Sequence, residues 1–380
     1  MKSLREIVES SPQMRALVMQ SLRREDMPQG LGPALWNWES VSRVLIIRLR
    51  SIGDTVLTTP SLYALKRFLP AARVDILLED WVAPVLDGFA HVDEVITLKR
   101  SSIASRASVA RQIRGSRYDV VYNLHGGTTA TLLARASGAR HRVGYSNYQY
   151  ARLHNHLAPS SSLLWGRDKT HSVEQQLALL GWTGVPVTDR PATQLTATQQ
   201  AAETVSERLH TAGFDEIKPL AVIHPTAAFD TKQWATENFA RVAETLSSRG
   251  FAVVAITAPA EVNVAHELQR ESTVPVIALT DLSLPEVTAL VSRARLFVGN
   301  DSGIAHMSAA VGAPSVVIFG SSNVAHWRPW AKAPAEVVLE ELECQPCHGY
   351  FCEKFAEPEC IKRVPVERVV AAIERVLRET

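Results

Sequence analysis

Three short stretches of the chain combine groups that can hold an anion with a carboxylate that can take a proton. In GNDSGIAHMSAAVGAPSVVIFG, from Gly299 to Gly320, the residues Asp301, Ser302, Gly303 and His306 stand between two apolar runs. A tight turn that opens a helix presents amides without internal partners at the positive end of the helix dipole, which suits an anion. Ser302 adds a hydroxyl, and Gly303 lets backbone approach a ligand. The structural alternative is that Asp301 or Ser302 caps the helix and His306 fills the core. In AVIHPTAAFDTKQWATENFARVAE, an apolar run ends at His224, Pro225 and Thr226, and Lys232 precedes a helix. An ammonium point charge and a hydroxyl near helix starts are what a diphosphate needs, although a lysine alone is more often a solvated surface group. In RLRSIGDTVLTTP, Gly53 and Asp54 follow another apolar run. Asp54 reads either as a cap or as a base that accepts a proton from an attacking hydroxyl.

These stretches can act together only if the fold brings them to one place. From Val41 onward, short apolar runs such as RVLIIRL, ARVDILLE and YDVVYNL alternate with helical stretches such as TVLTTPSLYALKRFL. That alternation predicts an α/β fold with parallel sheets covered by helices on both faces. A second series, with PLAVIHP, FAVVAIT, PVIALT, RLFVGN and PSVVIFG as strands, follows a link near residues 186–200. The expected organisation is an N-terminal helical extension over 1–40, α/β units over 41–190 and 191–363, and a C-terminal helix over 364–380. Ligands of open parallel sheets sit beyond the carboxyl ends of the strands, where all three stretches fall. The polar, aromatic stretch HRVGYSNYQYARLHNHLAP reads as a binding loop.

Forty basic and thirty-nine acidic residues leave a net charge near +1, so no global field recruits nucleic acid. No apolar run reaches the roughly 18 to 20 residues that span a bilayer, and no compact secretory signal opens the chain. The expectation is a cytoplasmic protein. The extension has helical spacing over LREIVESSPQMRALVMQSLRRE, which predicts a helix packing on the body or a partner; Trp36 and Trp38 offer a membrane-surface anchor as the alternative.

Cys344, Cys347, Cys352 and Cys360 fall in one segment, CQPCHGYFCEKFAEPEC, opening on a C-x-x-C pair. Three readings stand: a structural zinc or iron site with His348 as a substitute ligand, free thiols, or disulfides.

At its three motifs the sequence resembles the bacterial heptosyltransferases of lipopolysaccharide core assembly, glycosyltransferase family 9. The resemblance runs from Val41 to the C-terminal helix, with GNDSGIAHMSAAVGAPSVVIFG its most specific piece and RLRSIGDTVLTTPSLYALKRFLP matching the N-terminal signature. It implies a GT-B fold, two Rossmann-like domains facing a cleft, with the acceptor on the first and a nucleotide sugar, commonly ADP-heptose, on the second. By the same resemblance Asp54 is the general base, Thr226 and Lys232 hold the donor diphosphate, and Asp301, Ser302, Gly303 and His306 form the loop that meets phosphates and sugar. TAPAEVNVAHEL resembles the segment near ribose and adenine, which suggests Glu261 there. Arg48, Arg50, Arg140 and Arg142 are candidates for an acidic lipopolysaccharide core acceptor, and such an acceptor implies a peripheral place at the inner membrane surface. Cysteine groups occur in this region of relatives, one protein-modifying branch of which holds iron.

The implied reaction is an inverting transfer in which the acceptor oxygen, deprotonated by Asp54, attacks the anomeric carbon opposite the leaving ADP. Lys232 and the helix start at Ser302 and Gly303 stabilise the charge on the diphosphate, so this reading requires no catalytic cofactor. The alternatives are another nucleotide sugar, a protein acceptor as in autotransporter glycosylation, an epimerase of the same fold, and a nucleotide-sugar-binding protein without turnover.

Overall fold

The computed structural model describes residues 28–347 and 351–380; the helix expected near the N-terminus and His348 lie outside the described residues. Twelve strands form two parallel sheets among the described residues. The first contains β1 (Arg43–Ile47), β2 (Arg73–Glu79), β3 (Glu94–Leu98), β4 (Val120–Asn123), β5 (His141–Tyr145) and β6 (His156–Ala158), in the order β3-β2-β1-β4-β5-β6. The second contains β7 (Leu220–His224), β8 (Ala252–Ile256), β9 (Val276–Leu279), β10 (Leu296–Asn300), β11 (Ser315–Phe319) and β12 (Ala335–Leu339), in the order β12-β11-β10-β7-β8-β9. Their central strands are buried along their whole length or nearly so, as strands covered on both faces must be.

Both sheets reverse strand order at one seam, between β1 and β4 in the first and between β7 and β10 in the second. Chains leaving such a seam diverge to opposite faces and open a crevice at the strands' carboxyl ends. Register makes this specific. Ile47 pairs with Asn123, so Arg48 and Leu124 leave the first sheet side by side. Gly299 pairs with His224, so the loops carrying Thr226 and Asp301 leave the second sheet together.

The polar stretch after Arg140 holds two strands, β5 and β6, rather than being a loop throughout. The C-terminal helix Val366–Arg378 is amphipathic, with Val369, Ala372, Ile373 and Val376 buried, and packs on β11 and β12. Ahead of β1, the Trp38 indole N–H donates to the Thr183 carbonyl at 3.1 Å, and Trp36 stacks on His141 with centroids 4.3 Å apart. Trp38 is 7% exposed, so these contacts anchor the segment to its own domain. Among the described residues no helix is long and apolar enough to cross a membrane.

Candidate active site

A cavity of about 580 Å³ lies where the two seams face each other. The first sheet supplies Ser51, Ile52, Gly53, Asp54 and Trp81; the second supplies Thr226, Lys232, Glu261, Asp301, Ser302, Gly303 and His306. All three sequence stretches thus meet in one space.

On the second-sheet side, Ser302 caps helix Gly303–Ala310, its Oγ accepting the Ala305 amide at 3.3 Å. Asp301 is committed to the protein: its Oδ2 accepts from Lys232 Nζ at 2.9 Å and from the Ser322 hydroxyl. It therefore aims the Lys232 ammonium and offsets its charge. Thr226 Oγ1 donates to Glu261 Oε2 at 2.9 Å, and the Ala258 amide donates to the same oxygen at 3.1 Å. Asn300, fully buried, donates to the Pro225 carbonyl at 2.8 Å and accepts the Trp234 amide at 3.1 Å, tying both loops to the sheet. Sequence reasoning passed over Asn300, although an amide at the end of an apolar strand was a signal.

Gly303 lines the cavity and also carries a contact between the domains. A Cβ there would lie 2.6 Å from Ile52 Cβ and 3.2 Å from the Gly53 amide nitrogen, so its missing side chain admits the other domain's short helix, Ile52–Val56. Gly53 reciprocates, since its Cβ would meet His306 Cδ2 at 2.8 Å. His306 is buried, and burial lowers its pKa against the opposing pull of Asp301 and Asp54. Its Nδ1 has no hydrogen-bond partner among the described residues. An orphaned buried nitrogen costs about 1–3 kcal/mol, which a ligand hydroxyl would relieve.

On the first-sheet side the helix cap is Ser51, not Asp54. Ser51 takes a left-handed backbone, φ 69°, and its Oγ accepts the Asp54 amide at 3.2 Å. The Asp54 carboxylate is thereby left to face the cavity, where it pairs with the Arg48 guanidinium. Arg48 also donates to the Leu124 carbonyl, across the seam.

Arg48 lines a second cavity of about 530 Å³. Its wall is rich in hydroxyls and amides, with Ser160, Ser162, Gln175, Gln176 and Asn323, and with Tyr148 and Trp327 as flat faces. Lys169 and Arg48 supply charge, against Asp168. Burial, then the nearby Arg48 charge, pushes His125 down to about 4, so this ring is neutral near pH 7. Trp327 borders both cavities. Of the four arginines expected to face an acidic group, Arg48 lines this second cavity; Arg50 is exposed, and Arg140 and Arg142 are not among the residues lining either of these two cavities. Arg142 instead donates to the Ala139 and Leu153 carbonyls at 2.6 and 3.2 Å. Lys169 and Trp327, and His326 which also lines the second cavity, were not singled out from sequence, where nothing in their spacing marks them.

None of the four cysteines is joined in a disulfide, which leaves the metal and free-thiol readings. Cys360 is pushed up to about 11 by burial and by the charges of the other three. Among the described residues, no group of three or more His, Cys, Asp or Glu side chains stands in a metal-holding arrangement.

Known proteins match this arrangement. The family described as glycosyltransferase family 9 (heptosyltransferase) matches residues 106–355. Lipopolysaccharide heptosyltransferase 3 of Escherichia coli K12 is 28% identical over 348 residues, covering 87% of this chain and 97% of that protein. A family 9 glycosyltransferase from Veillonella parvula superposes with a TM-score of 0.77 at 22% identity, over 89% of this chain and 98% of that one. The E. coli heptosyltransferase WaaC, solved with ADP, superposes at 0.65 with 21% identity, over 88% and 99%. The same enzyme has been solved with ADP-2-deoxy-2-fluoro heptose. The two facing parallel sheets are a GT-B fold.

Proposed function

The chain belongs to glycosyltransferase family 9, and we propose that it transfers heptose from ADP-heptose to a hydroxyl of a lipopolysaccharide core acceptor, with inversion. The observation that carries this reading is that Asp54 and Lys232, held by different sheets, line one cavity. The acceptor hydroxyl gives its proton to Asp54 as its oxygen bonds to the anomeric carbon. The bond from that carbon to the diphosphate oxygen breaks on the opposite face, and its electron pair leaves with ADP. Lys232 and the free amides at the start of helix Gly303–Ala310 stabilise the departing charge. Glu261 faces the ribose hydroxyls, and the orphan Nδ1 of His306 takes a donor-sugar hydroxyl. The second cavity receives the acceptor, its hydroxyls, amides and aromatic faces suiting a sugar and Arg48 with Lys169 suiting an anionic group. A lipid-linked acceptor brings the enzyme to the cytoplasmic membrane surface.

The test is product formation. ADP-heptose and a heptose-deficient core oligosaccharide should yield acceptor-dependent ADP release and an acceptor one heptose heavier by mass spectrometry. UDP- or GDP-sugars serving equally well would overturn the donor.

The cysteine segment takes no part in this chemistry. A structural zinc or iron would have to draw Cys344, Cys347, Cys352 and Cys360 around one ion, which their present placement does not do. Metal analysis of the purified protein decides: one zinc or iron per chain, lost in Cys347→Ser, supports a staple, and less than a tenth supports free thiols.

A further inference from the structure

His224 ends β7 at the floor of the donor cavity, 8% exposed, with a hydroxyl near each ring nitrogen. Nε2 lies 3.3 Å from Thr226 Oγ1, and Nδ1 lies 3.4 Å from Ser302 Oγ. Donor and acceptor arithmetic fixes which atom holds each proton. Thr226 has one hydroxyl proton and gives it to Glu261, since a carboxylate only accepts. Its oxygen must therefore accept from His224, which puts a proton on Nε2. Burial pushes the ring down to about 4, so it is neutral near pH 7 and Nδ1 keeps its lone pair. Ser302 Oγ already accepts the Ala305 amide and is free to donate its proton to that lone pair. The result is a one-way chain from the Ala305 amide through Ser302, His224 and Thr226 to the Glu261 carboxylate.

We infer that His224, as the neutral Nε2–H tautomer, is a positioning residue that couples the helix start meeting the diphosphate to the carboxylate meeting the ribose. The inference has a consequence for the ligand, and there it rests on the donor reading above. The protons of Ser302 and Thr226 are committed within the protein, so these hydroxyls do not donate to phosphate oxygens. The diphosphate is held by Lys232 and backbone amides, and the two hydroxyl oxygens can only accept, which suits hydroxyl groups of the ligand.

The first experiment needs no ligand. Nitrogen-15 histidine NMR on the full chain near pH 7 should show His224, assigned by its absence in His224→Gln, as a neutral ring protonated at Nε2. An Nδ1–H tautomer or an imidazolium overturns the inference. The second is kinetic. His224→Phe keeps volume but removes both nitrogens and should raise donor KM about tenfold with kcat and acceptor KM within about twofold. His224→Gln, which restores a donor toward Thr226, should recover most of that loss. An unchanged donor KM in His224→Phe, or a fall in kcat alone, overturns the coupling. If the wild type turns over no ADP-heptose, the donor reading fails while the NMR result still judges the tautomer.

Discussion

Arg48 and Asp54 form an ion pair whose two members line different cavities, Arg48 the second and Asp54 the first. The pair thus marks the junction where an acceptor would meet a donor. Asp54→Asn keeps the size of the side chain and removes its basicity, so kcat should fall by about 10²- to 10⁴-fold with donor affinity unchanged. Arg48→Met should raise acceptor KM and lower kcat less, because it leaves the base but frees its orientation. Steady-state kinetics on both substrates, with calorimetric ADP binding as a control, checks this. Full activity in Asp54→Asn would remove the base.

Lys232 and Asp301 are paired at 2.9 Å with Asp301 nearly buried. Lys232→Met should weaken ADP binding by about 10- to 100-fold, since among the described residues it deletes the one ammonium lining that cavity. Asp301→Asn should weaken it less, because the ammonium remains but is no longer aimed. Equal losses for the two substitutions would mean that Asp301 touches the ligand itself. ADP titration calorimetry on each variant distinguishes the cases.

Gly303→Ala tests the contact between domains. Its Cβ would have to displace Ile52, an overpacking worth about 1–3 kcal/mol, and the shift falls on the helix that carries Asp54. The expected result is a kcat at least tenfold lower with ADP affinity nearly retained. Gly312→Ala is the informative contrast: that glycine has φ +82° but open space around it, so stability should drop while kcat holds. Loss of ADP affinity in Gly303→Ala, with kcat intact, would return Gly303 to the role of admitting a ligand.

Gly303 also shows where a sequence stops being informative. The apolar runs ending at Ile47, His224 and Asn300 were legible because strands buried on both faces leave little choice of residue, and the turn chemistry after them is local. Which atoms crowd Gly303 depends on Ile52, a residue of the other domain, and no local pattern encodes that. Arg142 lines neither of the two cavities for a similar reason: its charge was visible, but the carbonyls of Ala139 and Leu153 that it donates to were not. β5 was hidden by polar residues at its start, where His141 and Arg142 are half-buried although the strand lies between β4 and β6. Ser51 displaced Asp54 as the cap through a left-handed backbone that a serine rarely adopts, so composition argued against it.

Acid should destabilise the protein well before its carboxylates titrate. Burial pushes His171 down to about 3, against the opposing hydrogen bond to the Arg328 carbonyl, and burial pushes His224 down to about 4. Well above pH 6.5 both rings are neutral folded or unfolded, and they add no pH dependence. As pH falls from 6.5 toward 4, the unfolded chain binds protons that the folded chain refuses, so stability falls by up to about 1.4 kcal/mol per unit for each ring. Asp93, whose folded pKa is lowered from 3.8, loses its contribution only below this window and does not confuse it. Melting temperature should therefore drop steadily between pH 6.5 and 4.5. His171→Asn keeps a good cap for helix Ser172–Trp182 but cannot titrate, so it should start lower at pH 7 and fall less steeply. A wild-type melting temperature flat across that window would mean that these rings take up protons in the folded state, which would also undo the neutral state assigned to His224.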